Sequence, residues 1–273
     1  MTNKIPNDAY VLIIGAMKAA TTSLYGYLES HPEICPAVTK EPEFFTGNTE
    51  HGVEVERFED LWCFDISRHR YAIEASTGYT KYPSVDGVPQ KIAEYGLKPK
   101  FIYIVRNPFE RIESHYNFMQ HNERWKKPID DEHLINTSDY YLQLEQYLKF
   151  FPREDFLILD FDDIKHDPKK VMKSVYDFLG ITDLHYPDVF HKENTTHVAS
   201  TFERKLRTLR LHKLLRKSPK GLQVLIKSML MRVSRKEKQK LTEEQRNLIH
   251  ERLAVNTYLL QEKWGIDVSK WGF

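Results

Sequence analysis

One continuous apolar run and three short, largely apolar segments, separated by stretches of helical periodicity, constrain the fold of this chain more than any other feature. The runs are Tyr10–Ile14, Tyr71–Ala75, Phe101–Val105 and Phe156–Asp160. Apolar runs without polar alternation are typical of strands that are buried on both faces. Helical patterns fall between or beside them, at 22–30, 88–95, 109–121, 140–150 and 168–179. This alternation predicts an α/β, P-loop-like three-layer domain: a central parallel sheet of about four to five strands flanked by helices, plus a helical C-terminal region.

The 273 residues suit a single elaborated domain, and the pattern divides them into three parts. We expect residues 9–181 to form the α/β core and residues 182–241 to form a basic lid or helical segment. Residues 242–273 are expected to form a last helix and a tail. Thr242 and Gln245 have the spacing of a capping box, which predicts that this helix begins there.

Charge is distributed unevenly along the chain. The formal net charge is only +1, yet residues 204–240 contain 14 Lys plus Arg and a single acid, Glu237. A basic block of this kind predicts a surface for an anionic partner, but it is too local to predict a nucleic-acid binder. Three interpretations stay open: a lid over a bound anionic ligand, which we favour, a grip on a polyanionic acceptor, or a helix resting on an anionic membrane surface.

Neither end of the chain nor its interior predicts a membrane segment. The first ten residues lack the apolar core of a signal peptide, and no run approaches the roughly 18 apolar residues of a membrane span. The two cysteines, Cys35 and Cys63, are too few for a disulfide framework; one bridge between them stays open, but we favour two free thiols. These features predict a cytoplasmic protein.

The first apolar run leads directly into a loop of small residues and hydroxyls. Gly15-Ala-Met-Lys18-Ala-Ala-Thr-Thr-Ser23 lies between this run and a helix start, where backbone N–H groups and a helix dipole can hold an anion. A nucleotide P-loop has its lysine directly after the second glycine, followed by the hydroxyl that holds Mg²⁺. Here Lys18 precedes the turn and no Gly-Lys pair is present, which disfavours a metal-dependent NTPase.

This loop resembles the 5′-phosphosulfate loop of sulfotransferases that use 3′-phosphoadenosine 5′-phosphosulfate (PAPS), with its pattern G-x-x-K-x-G/A-T-T-S-L. Three further segments match the same family in the right order: Thr39–Phe45, Val105–Tyr116 with the pattern R-[ND]-P-x-x-R-x-x-S, and Phe156–Phe161 followed by Pro168–Gly180. The resemblance covers residues 9 to about 181. It is to the heparan-sulfate-type branch and its soluble bacterial relatives.

The resemblance implies a donor site built from two anion-binding segments. The loop would bind the 5′-phosphosulfate, while Arg106 and Ser114 would bind the 3′-phosphate that distinguishes PAPS from ATP. The residues expected to contact PAPS, or its product adenosine 3′,5′-bisphosphate (PAP), are Lys18, Ala19, Ala20, Thr21, Thr22, Ser23, Arg106, Ser114 and, from the basic segment, Arg204. Arg111 would brace the loop.

The resemblance also implies catalytic roles. Lys18 would stabilise the charge that develops on the leaving phosphate oxygen, and Glu41 would accept the proton of the attacking hydroxyl or amine. Lys40 would hold the Glu41 carboxylate or touch the sulfuryl group. His115 is an alternative base. No metal is expected, because the sequence has no Cys/His cluster with zinc spacing and no pair of aspartates that calls for Mg²⁺.

The acceptor is expected to be a carbohydrate or glycoconjugate, by analogy with the heparan-type branch. Residues expected to line its cleft are Glu43, Ser76, Thr77, Tyr79 and His115. A small metabolite, a lipid or a protein tyrosine are the other acceptors. Two different classes of protein also stay open: a P-loop nucleotide kinase, and a non-catalytic module that binds PAP without turnover.

Overall fold

A computed structural model describes residues 5–47, 55–121, 125–187 and 238–273. Its five strands are β1 (Tyr10–Gly15), β2 (Ile34–Pro36), β3 (Tyr71–Glu74), β4 (Lys100–Val105) and β5 (Phe156–Asp160). They form one sheet in the order β2-β3-β1-β4-β5, and every neighbouring pair is parallel. The central parallel sheet of four to five strands is therefore confirmed, with β2 as a strand that the apolar runs did not predict.

Eight helices accompany the sheet in the described part of the chain. They are α1 (Thr21–Leu28), α2 (Val88–Glu94), α3 (Pro108–His121), α4 (Glu132–Asn136), α5 (Tyr140–Leu148), α6 (Phe161–His166), α7 (Pro168–Leu179) and α8 (Glu243–Trp264). Helices α4 and α6 were not predicted, and α1 and α5 each end two residues earlier than the sequence pattern indicated. Thr242 and Gln245 form the predicted capping box at the start of α8.

The core lies on both faces of the sheet. Every residue of β1 is buried, as the continuous apolar run predicts, and residues 101–105 of β4 are equally inaccessible. Both cysteines are free thiols, as expected, with Cys35 buried in β2 and Cys63 exposed. No helix in the described ranges is both long and apolar enough to cross a membrane.

The topology places a ligand site at the carboxyl ends of β1 and β4. The chain adds β3 on one side of β1 and β4 on the other, so the strand order changes direction at β1. In open parallel sheets, ligands bind outside the carboxyl ends of the strands at such a switch point. The loop after β1 and the Arg106 segment after β4 both lie there.

The basic segment falls almost wholly outside the described residues. Arg204 and residues 222–233, whose apolar side chains have the spacing of a helix in the sequence, are among the residues that the structure does not describe. The three interpretations of that segment, and the division of the chain into its three parts, therefore stay predictions.

Candidate active site

The loop between β1 and α1 is shaped by small residues and by two left-handed positions. Lys18 and Ala20 have φ values of 71° and 68°, and Ala20 is the N-cap of α1. Because alanine offers no cap oxygen, the N–H groups of the first turn have no acceptor from the cap side chain. Ala19 and Ala20 are buried, so larger side chains would not fit. The geometry is that of an anion-binding helix N-terminus.

Gly15 fixes the start of this loop against a neighbouring turn. A Cβ at this position would lie 2.3 Å from Thr80 Oγ1 and 3.1 Å from the ring of Tyr103. Thr80 Oγ1 in turn donates a hydrogen bond of 2.7 Å to the carbonyl of Ile14. The backbone of Gly15 also has a φ of 145°, a value that residues with a side chain rarely adopt. The first glycine of the motif is thus required by a close approach.

Lys18 is a partly desolvated cation among other charged groups. Its ammonium lies 4.6 Å from the centroid of the Phe118 ring on α3. Burial, followed by the nearby Arg106 guanidinium, lowers its pKa, while the Glu41 carboxylate acts in the opposite direction. Lys238, at the beginning of the last described range, lowers the Lys18 pKa further. The structure therefore places Arg106 beside Lys18, and the charges of Glu41 and Lys238 act on the same ammonium.

Residues 238–241 reach this site because they run along α3. The Asn117 side chain pairs with the Gln239 backbone in both directions, accepting from its N–H at 2.9 Å and donating to its carbonyl at 2.8 Å. Glu113 Oε1 accepts from the N–H of Leu241 and from Arg246. Sequence reasoning did not single out Lys238, because its electrostatic effect on Lys18 joins positions 220 residues apart in the chain.

Arg106 lies beside the loop and is held on several sides. Its Nη1 donates to the Lys18 carbonyl at 3.1 Å, and its Nη2 forms an ion pair of 2.8 Å with Glu110 on α3. The guanidinium stacks 4.3 Å from the centroid of the Phe161 ring. Its Nε is buried and has no hydrogen-bond partner. A buried donor without a partner is costly, so this atom is suited to an acceptor that arrives with a ligand.

Ser114 lies on α3 and is half-buried. Asn107 caps that helix, since its Oδ1 accepts from the N–H groups of Phe109 and Glu110. The Arg-Asn-Pro sequence therefore has a local reason: a strand end, a helix cap and a proline at the first helical position. The role of Ser114 in binding a 3′-phosphate stays a prediction.

Arg111 braces the loop from below, as expected. It is fully buried, and its Nη1 donates to the Met17 carbonyl at 3.4 Å. Its other nitrogens donate to Ser138 Oγ, Thr137 Oγ1 and the Leu134 carbonyl. This guanidinium thus joins the β1–α1 loop to α3 and to the α4 region.

Glu41 lies on a tight turn between β2 and the short 3₁₀ helix Phe44–Thr46. Both Glu41 and Glu43 have positive φ values, 60° and 54°. The side chain of Glu41 is 38% exposed, and Lys40 forms an ion pair with its carboxylate. The expectation that Lys40 holds this carboxylate agrees with the geometry, while the catalytic roles of both residues stay predictions.

The five residues expected to line the acceptor cleft are all buried. Glu43 Oε1 accepts from the Gly78 N–H at 2.8 Å, and Ser76 Oγ donates to Glu74 at 2.7 Å. His115 is 1% exposed and its Nδ1 lies 3.2 Å from Arg111. Burial, with Arg111 next, lowers its pKa well below the usual range. The structure thus places these five residues inside the protein, and their roles at the acceptor stay predictions.

Among the described residues, no group of three or more His, Cys, Asp or Glu side chains has the arrangement of a metal site. Positive charge near the loop comes from side chains that include Lys18, Arg106 and Lys238. An uncapped helix start, a lysine inside the loop and an arginine with an unpaired buried donor form an arrangement suited to binding an anionic ligand.

The chain belongs to the sulfotransferase domain family, whose model matches residues 8–259. A mouse bifunctional heparan sulfate N-deacetylase/N-sulfotransferase 4 is 28% identical over 64% of this chain and 22% of its own length. Human heparan sulfate glucosamine 3-O-sulfotransferase 5 is 28% identical over 62% of this chain and 53% of its own length. The chain thus spans about a fifth to a half of these relatives.

The solved structure of a sulfotransferase from Alicyclobacillus acidocaldarius has the same fold. It superposes with a TM-score of 0.68 over 98% of this chain and 100% of its own, at 20% sequence identity. The predicted fold class is therefore confirmed.

Proposed function

We propose that this protein transfers the sulfuryl group of PAPS to a hydroxyl or amine of a carbohydrate and releases PAP. The observation that carries the proposal is the pairing of Lys18, inside an anion-binding loop, with Arg106, whose buried Nε lacks a partner. Two anion sites at one sheet edge fit a donor with both a 5′-phosphosulfate and a 3′-phosphate. The N–H groups at the start of α1 would hold the first, and Arg106 with Ser114 would hold the second.

PAPS supplies an activated sulfuryl group when it is bound. Lys18 stabilises the negative charge on the 5′-phosphate oxygen as the bond from that oxygen to sulfur breaks. Glu41 accepts the proton of the acceptor while its oxygen or nitrogen forms the new bond to sulfur. Lys40 keeps the Glu41 carboxylate in place through their ion pair. Lys238 adds positive charge to the same region.

A carbohydrate acceptor is supported by the relatives, which are named for heparan sulfate and its glucosamine. The structure adds a shallow cavity beside the 3₁₀ helix that follows Glu41 in the chain. It is lined by Phe44, Phe45, Gly47, Lys91, Glu94 and Tyr95. The exposed Tyr95 ring and the half-buried Phe44 ring, beside charged side chains, suit an amphipathic ring such as a sugar. The cytoplasmic location stays a prediction.

Labelled-PAPS transfer to a panel of acceptors tests the proposal. The panel contains desulfated heparan sulfate, a tyrosine peptide and a small phenol, and we expect label in the polysaccharide. Glu41→Gln is expected to lower turnover by about 10²–10⁴-fold, the contribution of a general base, while PAP affinity is kept. Lys18→Ala is expected to lower turnover by about 10²–10³-fold.

The matched controls are Glu145→Gln and Lys149→Ala, which remove exposed charges on and just after α5. Both are expected to retain full turnover. An unchanged rate in Glu41→Gln removes that residue from the role of base. Label in the phenol or the peptide, with none in the polysaccharide, overturns the carbohydrate acceptor.

A further inference from the structure

A buried carboxyl group that the proposed mechanism does not use lies at the carboxyl end of β3. Glu74 is fully buried, and its Oε2 accepts a hydrogen bond of 2.7 Å from Ser76 Oγ. Burial raises its pKa to about 8, against the smaller lowering effects of the Ser76 and Tyr79 hydroxyls. The Tyr79 hydroxyl lies near the carboxyl, but neither it nor Glu74 Oε1 completes a hydrogen bond of ordinary geometry.

Ser76 connects this carboxyl to the Glu41 turn, which we define as residues 41–43. While its hydroxyl donates to Glu74, the same oxygen accepts from the Glu43 N–H at 3.0 Å. The partners Glu43 and Ser76 are 33 residues apart, so the bond joins two separate loops. A serine that donates and accepts at once has its hydroxyl direction fixed by both neighbours.

A second contact holds the same turn through its side chain. The Gly78 N–H donates to Glu43 Oε1 at 2.8 Å. A Cβ at Gly78 would lie 1.8 Å from Glu43 Oε2, so the carboxylate sits directly on the backbone of this glycine. Residues 74–78 therefore hold Glu43 through two hydrogen bonds, one to its main chain and one to its carboxylate.

The turn needs these contacts because its backbone conformation is energetically unfavourable. Glu41 and Glu43 both occupy the left-handed region, which costs about 1–2 kcal/mol for a residue with a side chain. Such conformations persist only where the surrounding structure determines them. On its other side, the Glu41 carboxylate has the flexible Lys40 ammonium as its ion-pair partner.

We propose that Glu74 is a positioning residue for Glu41: through Ser76, and together with the Glu43–Gly78 contact, it fixes the turn that presents the Glu41 carboxylate to Lys18. This inference rests on the proposed role of Glu41. It reassigns Glu43 and Ser76 from contact with the acceptor to support of the base. A buried carboxyl stabilises a fold less than an apolar side chain of similar size, so its contribution is to geometry.

The pKa of Lys18 reports where the Glu41 carboxylate lies, because that carboxylate raises it while Arg106 and Lys238 lower it. It is measurable on the full chain from the pH dependence of Lys18 acetylation by acetic anhydride, followed by mass spectrometry. The variants are Glu41→Gln, Ser76→Ala, their double substitution, Glu74→Leu and Glu74→Gln. Thr257→Val removes a buried hydroxyl in α8, far along the chain from the turn, and serves as the matched control.

We expect Ser76→Ala and Glu74→Leu to lower the Lys18 pKa in the same direction as Glu41→Gln. The double substitution is expected to match Glu41→Gln alone, because the carboxylate that Ser76 positions is then gone. Glu74→Gln should resemble the unchanged protein, since its amide oxygen still accepts from Ser76. PAP affinity should stay within about twofold throughout. Ser76→Cys, a weaker donor of similar size, provides a second variant if Ser76→Ala does not fold.

An unchanged Lys18 pKa in Ser76→Ala and Ser76→Cys, beside a lowered one in Glu41→Gln, overturns the positioning role and leaves the proposed function standing. The positioning role is also overturned if Ser76→Ala lowers the Lys18 pKa by the same amount in the Glu41→Gln background as in the unchanged protein. The effect of Ser76 would then not act through Glu41. If Glu41→Gln itself leaves the Lys18 pKa unchanged, the Lys18–Glu41 pair is absent and the proposed base loses its support.

Discussion

Replacement of Arg106 by alanine tests whether this arginine binds the 3′-phosphate in particular or contributes to anion binding in general. The guanidinium is only 18% exposed, stacks on Phe161 at 4.3 Å and retains one buried nitrogen without a partner. A phosphate that bonds to this group would form charge-assisted hydrogen bonds worth about 1.5–3 kcal/mol. Arg106→Ala should therefore weaken PAP binding by roughly 10–150-fold.

Competition from Glu110 accounts for the lower part of the expected loss of PAP affinity. Its carboxylate already pairs with Arg106 Nη2 at 2.8 Å, and a 3′-phosphate must compete with it. Because the Glu110 side chain is 57% exposed, the pair itself contributes only about 0.2–1 kcal/mol. Glu110→Gln should then strengthen PAP binding by about 1.4–5-fold, the opposite sign to Arg106→Ala.

Isothermal titration with PAP and with adenosine 5′-phosphate distinguishes the two sites. The second nucleotide lacks the 3′-phosphate, so Arg106→Ala should change its affinity by less than about threefold. This small change would come from the lost hydrogen bond between Arg106 and the Lys18 carbonyl. Equal weakening of both nucleotides would refute the assignment of Arg106 to the 3′-phosphate. It would indicate instead that the arginine acts only by bracing the loop.

Two further predictions concern the buried residues around Glu74. Gly78→Ala should destabilise the protein by about 2–4 kcal/mol, because its Cβ displaces the Glu43 carboxylate and breaks the bond to the Gly78 N–H; urea unfolding measures this, and a loss below 0.5 kcal/mol would contradict the contact. The Glu74 pKa is about 8 when folded and 4.5 in its ordinary environment, so between these values the folded protein keeps a proton that the unfolded chain has lost. Its contribution to stability therefore falls as pH rises from about 4.5 to 8, by on the order of a few kcal/mol, and is constant above that range. Glu74→Gln should flatten this part of the profile, and an identical slope in both proteins would show that Glu74 does not cause it.

The core of the fold could be predicted because its signals are local. Each of the four apolar runs became a strand of the parallel sheet, and the segments between them supplied most of the helices. Strand β2 was missed because it is three residues long, contains Pro36 and follows a His-Pro turn, so it has neither the length nor the composition of a buried run. Helices α4 and α6, of five and six residues, are too short to show helical periodicity.

The site was predictable where a strand end and a helix start define it. Lys18 and Arg106 lie in such segments, and their neighbours along the chain determine their surroundings. The sequence could not predict how the hydroxyls that follow β3 are directed. Their direction is set by Glu74 beneath them and by Glu43 from another loop, and neither contact has a sequence signal.

Thermal unfolding in the presence of PAP, adenosine 5′-phosphate or ATP with Mg²⁺ tests the central claim most directly. Each nucleotide is added at the same concentration, chosen as about 100 times the Kd for PAP, which stabilises a folded protein by about 2.7 kcal/mol. For a chain of 273 residues this corresponds to a rise in Tm of about 5–10 °C. We predict this rise for PAP and a clearly smaller one for the other two. A larger rise with ATP and Mg²⁺ than with PAP would contradict the assignment of this site to PAPS.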